Sequence, residues 1–212
     1  MSGEFAIAPG LAWALGQIED DSNSGGPRRR GPDPRLALRE WVQNGARTRL
    51  GRMVINGEIT SFEQAISSRL PIREPEIVDA FFQPNLHVEM IGRPRRIQRM
   101  TDSGQRTRFN VMVVVGNKDG VVGLATSKGK EVAATIQKAT NKAKLNMISV
   151  RRGNGSWESG GGPGRSVPMK ITGRAGSTRI TLMPAPTGKG LVIGETGRMI
   201  LDMAGITDVW SS

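Results

Sequence analysis

At 212 residues the chain has room for one large or two small domains, and 37% hydrophobic with only 4% aromatic residues favours two small ones joined by irregular segments. No cysteine, a single histidine (His87) and no apolar run near the roughly 20 residues of a membrane span exclude disulfides, thiolate or multi-histidine metal sites and spanning helices; an intracellular soluble protein is expected. The net charge of +11 resides wholly in residues 93–152, where fourteen basic side chains face only Asp102, Asp119 and Glu131, and a field so concentrated attracts a polyanion.

Residues 1–40 read as a disordered or extended tail. Phe5–Leu15 is mildly apolar, but Glu4 precedes it and no basic stretch does, so it is not a signal peptide. The Arg28–Arg30 run could touch RNA or simply be solvated. Residues 41–92 form a helical extension. Ser61 with Gln64 has capping-box spacing, and Phe62, Ala65, Ile66 and Leu70 follow at helical intervals up to Pro71. A second short helix spans 76–82, before Pro84. Its acids Glu74, Glu76 and Asp79 suit a helix N-terminus better than catalysis, and His87 stands alone as a structural residue.

From Ile97 the hydrophobic period changes to two. Ile97 and Met100 bound a short strand, and residues 101–107 read as a polar hairpin loop. Phe109, Val111, Val113 and Val115 then line one face of a strand, with Met112 and Val114 on the other. Residues 116–120 are a turn, 121–126 a third strand, and 130–147 a helix with a core stripe of Val132, Ile136, Ala139 and Ala143. Residues 93–152 are thus a three-stranded antiparallel sheet plus helix. A glycine-rich bridge follows over 153–165. The C-terminal domain, 166–212, has strands through Val167–Ile171, Ile180–Leu182 and Val192, and a helix from Glu195 to Ala204 capped by Gly205. The overall class is α+β: two small α/β-sandwich domains behind an irregular, helical N-terminal extension.

The glycine-rich stretches are not phosphate loops: Gly188-Lys189-Gly190 lacks the following Ser or Thr, and the run 160–164 lacks the lysine. With one histidine there is no Ser/His/Asp set. No cofactor, metal or catalytic residue is expected. The basic residues instead resemble a double-stranded-RNA module, which binds by shape and backbone contact. Arg95, Arg96 and Arg99 lead into the first strand of the small sheet, and Arg106 and Arg108 flank its hairpin loop. Lys128 and Lys130 stand at the start of the helix, Lys138 and Lys142 lie four apart along it, and Arg151 and Arg152 close the segment. These eleven are the candidate phosphate contacts.

Longer runs carry a family likeness: Arg99–Phe109, Val113–Gly123, Ala143–Ile148, Arg151–Glu158, Pro184–Pro186 and Leu201–Trp210. They resemble the universal small-subunit ribosomal protein family S-five (S5) from about Thr48 to Trp210. Pro71–Asp79 and the Gly-Ser-Trp-Glu bridge resemble its archaeal and eukaryotic branch. The resemblance implies a double-stranded-RNA-binding-like domain and an S5-type second domain. It implies attachment to small-subunit rRNA near the decoding centre and the side where mRNA enters, with a role in translational accuracy. Ribosomal proteins S-four (S4) and S-eight (S8) would be neighbours, and residues 101–108 would reach RNA. The protein would be cytoplasmic and ribosome-bound, with no membrane partner. Asn154 and Ser159 stand where relatives often carry cysteine, so no metal or redox role is expected of the bridge. The family continues past Val209-Trp210, so the C-terminal domain is expected to be truncated. A free-standing regulator that binds double-stranded RNA is the rival reading.

Overall fold

The computed structural model describes residues 8–15, 34–153 and 164–212. The Arg28–Arg30 run and most of the glycine-rich bridge, Trp157 included, lie outside the described residues. The chain divides into two units, residues 1–86 and 87–212.

The first unit is helical: α1 (Pro9–Ala14), α2 (Pro34–Asn44), α3 (Arg49–Ile55), α4 (Phe62–Ser67) and α5 (Pro75–Phe82). Residues 9–14 read from sequence as tail, yet Leu11 and Trp13 are buried. Gly10 explains the docking, because a Cβ there would run into the backbone carbonyls of Asp79 and Ala80. Arg35 then lies over the Trp13 ring, 4.4 Å from its centroid. The capping box is present at α4, where Gln64 Oε1 accepts from the Ser61 N–H while Ser61 caps the third residue. Phe62 fills the core against Phe81 and Phe82 in edge-to-face geometry. Glu74 is 9% exposed and accepts from Trp41 Nε1 and the Thr48 N–H, each at 2.7 Å. Its carboxylate therefore ties α2 and the start of α3 to α5, a structural role.

The second unit begins with β1 (His87–Met90), which the sequence reading placed outside the sheet. β2 (Arg95–Thr101), β3 (Gly104–Gly116), β4 (Val121–Gly129), α6 (Val132–Leu145) and β5 (Met147–Ser149) follow. The sheet has five strands where the sequence reads three. β3 is long enough to pair β2 along its first half and β1 along its second, and β5 pairs the start of β4. His87 and Met147 were missed because β1 and β5 are short and half-exposed, with too few residues to show a period.

Helix α6 covers the face of Val111, Val113 and Val115. Its buried line is Thr135, Ala139 and Ala143, with Val132 and Ile136 only half-buried at its margin. Thr135 escaped the sequence reading because it is polar; its hydroxyl is satisfied locally by the Glu131 carbonyl, so it can be buried. Small residues let the helix approach: Gly123 lies under the Ala143 carbonyl and Gly129 under Thr135.

The remaining elements are β6 (Ile171–Ala175), β7 (Thr178–Pro184), β8 (Leu191–Val192), α7 (Glu195–Met203) and β9 (Val209–Ser211), with sheet order β6-β7-β9-β8. Val209-Trp210, which the sequence reading assigned to no element, is a strand inside this sheet, antiparallel to β7 and parallel to β8. Val167 is buried but Met169 is exposed and the strand starts only at Ile171.

The two sheets share one core. Val114 and Val122, on the face of the first sheet away from α6, pack with Leu201, Met203, Ala204, Ile206 and Val209, and Leu182 and Leu191 of the second sheet close around them. The turn between β3 and β4 is fastened to the end of α7. Asn117 Oδ1 accepts from the N–H groups of Asp119 and Val121, while Lys118 and Gly120 donate theirs to the Met203 and Ala204 carbonyls at 3.0 Å.

Candidate nucleic-acid interface

The polar stretch 101–107, read from sequence as a loop, is strand. β2 runs to Thr101 and β3 starts at Gly104, so only Asp102 and Ser103 form the turn. Gly104 takes φ +111°, which a side chain would resist, and the Thr101 hydroxyl donates to its carbonyl at 2.7 Å. A loop was expected because neither face is buried and no hydrophobic period marks it: residues 95–100 and 104–108 are all exposed.

Register decides where the charges point. Arg95 is opposite Asn110, Ile97 opposite Arg108, and Arg99 opposite Arg106. Directly paired residues share a face, and alternate residues along a strand do too. Arg95, Arg99, Arg106 and Arg108 therefore stand on one face, and Lys128 joins them because it pairs Asn110 from the other side. Arg96 pairs Phe109 and lies on the opposite face, toward α6. Neighbouring positions along each strand are about 7 Å apart and opposed Cβ atoms about 5 Å apart, so this is a dense cationic field. Among the described residues none of these five cations pairs with an acid. At the root of the field the Asn110 Oδ1 is buried without a hydrogen-bond partner.

The other candidates sit elsewhere. Lys130 is exposed just past the end of β4, before α6, so the register of the sheet does not fix the face it takes. Glu131 occupies the N-cap of α6 without a side-chain cap. Lys138 and Lys142 share the exposed side of α6, where Lys142 Nζ reaches the Thr126 carbonyl at 3.4 Å. Arg151 is exposed after β5. Arg152 is different: its guanidinium pairs with Asp119 and donates to the Gly205 carbonyl at 3.3 Å, with only 14% of the side chain exposed. It fastens the β3–β4 turn to α7, which alternation and charge counting could not reveal. The sequence reading also passed over Arg174 and Arg179, which stand directly opposite each other on the exposed β6–β7 hairpin.

No group of three or more His, Cys, Asp or Glu side chains among the described residues is placed to hold a metal, and none of their helices is long and apolar enough to cross a membrane. A cavity of about 600 Å3 in the first unit is lined by Trp41, Arg73, Glu74 and Glu76, but the Glu74 carboxylate already accepts two hydrogen bonds. The arrangement offers charge and shape to an anionic polymer.

Two family models match the chain: ribosomal protein S5, N-terminal domain, over residues 91–151, and ribosomal protein S5, C-terminal domain, over 173–212. A protein called small ribosomal subunit protein uS5 from Methanospirillum hungatei is 52% identical over 172 residues, covering 81% of this chain and 82% of that one. Proteins of the same name from Thermoplasma acidophilum (49% over 171 residues; 81% and 75%) and Staphylothermus marinus (46% over 175; 82% and 79%) are also similar.

Proposed function

This chain belongs to the ribosomal protein S5 family, and from that premise we propose that it is a structural constituent of the small ribosomal subunit that grips small-subunit rRNA and carries no active site. It works in the cytoplasm, bound to the ribosome. The observation that supports the RNA contact is the one-sided register of the β2–β3 hairpin, with Arg95, Arg99, Arg106 and Arg108 beside Lys128 and no described acid to neutralise them. Such a surface binds phosphates through charge and counterion release, without reading sequence. Lys130, Lys138, Lys142 and Arg151 extend the contact along α6, Arg96 meets RNA from the other face, and Arg152 holds the scaffold behind them. Within the subunit we place the protein near the decoding centre and the side where mRNA enters, against S4 and S8, where it supports assembly and accuracy.

Sucrose-gradient fractionation tests the location: the protein is expected with small subunits, and accumulation in free fractions only would reject it. Binding to rRNA fragments tests the contact. With about six to ten phosphates neutralised, affinity should fall about 10³–10⁵-fold between 50 and 200 mM salt. A salt slope near zero contradicts the phosphate grip.

A further inference from the structure

The cationic field occupies only one side of the β2–β3 ribbon. The other carries Arg96 and Phe109 at its base and then, row by row, Gln98 opposite Thr107 and Met100 opposite Gln105. Beyond Arg96 this second face has no charge, and Met100 is 74% exposed on it. Gln98, Gln105 and Thr107 are exposed as well. A strand pair that projects with both faces bare and chemically distinct is built to meet two different surfaces.

We propose that the β2–β3 hairpin is clasped between two separate segments of rRNA: the arginine face lies on the phosphates of one, and the Gln98/Met100/Gln105/Thr107 face lies on the sugars and base edges of the other. This deepens the rRNA reading above and rests on it. Two arguments favour RNA on the second face. Each glutamine amide both donates and accepts, which matches the 2′-hydroxyl and the base edges displayed in the shallow groove of an A-form helix or by unpaired nucleotides. A protein partner would instead need an apolar centre to the patch, and Met100 is the one apolar side chain among these exposed rows. Two segments are required because the deep groove of A-form RNA is too narrow for side chains to read, let alone for a ribbon with side chains on both faces.

Hydroxyl-radical footprinting of the full-length protein on small-subunit rRNA is the test. Wild type should protect two non-contiguous segments. Gln98→Ala with Gln105→Ala should lose one of them, weaken binding roughly tenfold through the lost hydrogen bonds, and leave the salt slope unchanged. Arg99→Gln with Arg106→Gln should lose the other and lower the slope by about two. All four side chains are exposed, so melting temperatures should stay near wild type. Retention of both footprints and full affinity in the glutamine double variant overturns the clasp while leaving the phosphate grip standing. So does a photocrosslinker at position 98 that captures a ribosomal protein in assembled subunits. Absence of any salt-dependent rRNA binding by wild type overturns the underlying reading and the clasp with it.

Discussion

Arg99 and Arg106 face each other across a ladder, and like charges so placed repel. Free protein tolerates this only because both guanidinium groups are exposed to water and ions. Arg106→Gln should therefore leave the melting temperature unchanged or slightly raised, while lowering the salt slope of rRNA binding by about one. Arg152 has the opposite profile. Its guanidinium is enclosed between Asp119 and the Gly205 carbonyl, so Arg152→Gln should destabilise the fold by about 1–2 kcal/mol with the slope intact. Thermal denaturation and filter binding on the same two variants separate grip from scaffold; equal behaviour would show that the assignment is wrong. Asn110 lies at the root of the same field, opposite Lys128. A buried acceptor without a partner costs about 1–3 kcal/mol, so Asn110→Val, on a strand and beside the field, should stabilise the free protein by about 1 kcal/mol.

Among the elements, the hairpin and the long helix show what a sequence can and cannot reveal. Alternating Val111, Val113 and Val115 betray a strand because one face is buried; the same strand back to Gly104 leaves no such trace because water bathes both faces. The list of basic residues was legible, but their faces were not, since a face is defined only once Arg99 is known to oppose Arg106 rather than a loop residue. Helix α6 was legible to within two residues at each end, yet its buried line was read through Val132 and Ile136 instead of Thr135, because a threonine whose hydroxyl bonds its own helix counts as apolar in packing and polar in composition. Helix α1 was hidden for another reason: its burial depends on Gly10 lying against α5, a contact about seventy residues away in sequence. Close approaches of this kind are testable. Gly205 takes φ +75° and its Cβ would meet the Lys118 carbonyl, so Gly205→Ala should cost about 2–4 kcal/mol, measured as a shift of the denaturant midpoint at constant slope. Gly188→Ala also has positive φ but open space around it, and should cost about 1 kcal/mol.

Across residues 87–212 the coupling of the two sheets matters most. Family models divide this stretch into an N-terminal and a C-terminal domain, yet the apolar cluster runs from Val114 and Val122 through Met203 and Ile206 to Val209 without a break. Polar ties reinforce it: Lys118 with Asp202 at 3.2 Å, Arg152 with Asp119, and two backbone hydrogen bonds from the β3–β4 turn into the end of α7. Asp208, only 3% exposed, completes the framework by accepting from the Gly190 N–H at 2.8 Å and from Thr207, which pins the loop after β7 to the strand it borders. The two sheets are thereby held together by one apolar core and a set of polar ties, and behave as a single cooperative unit. If so, the sheets should unfold together. Met203 is 1% exposed in the shared cluster, and Met203→Ala should remove about 2–5 kcal/mol. Amide hydrogen exchange should then lose protection by the same free energy at Val113–Val115 in β3 and at the strands of the second sheet. Loss confined to β7, β8 and β9, with β3 and β4 unchanged, would mean two independently folding domains that merely touch.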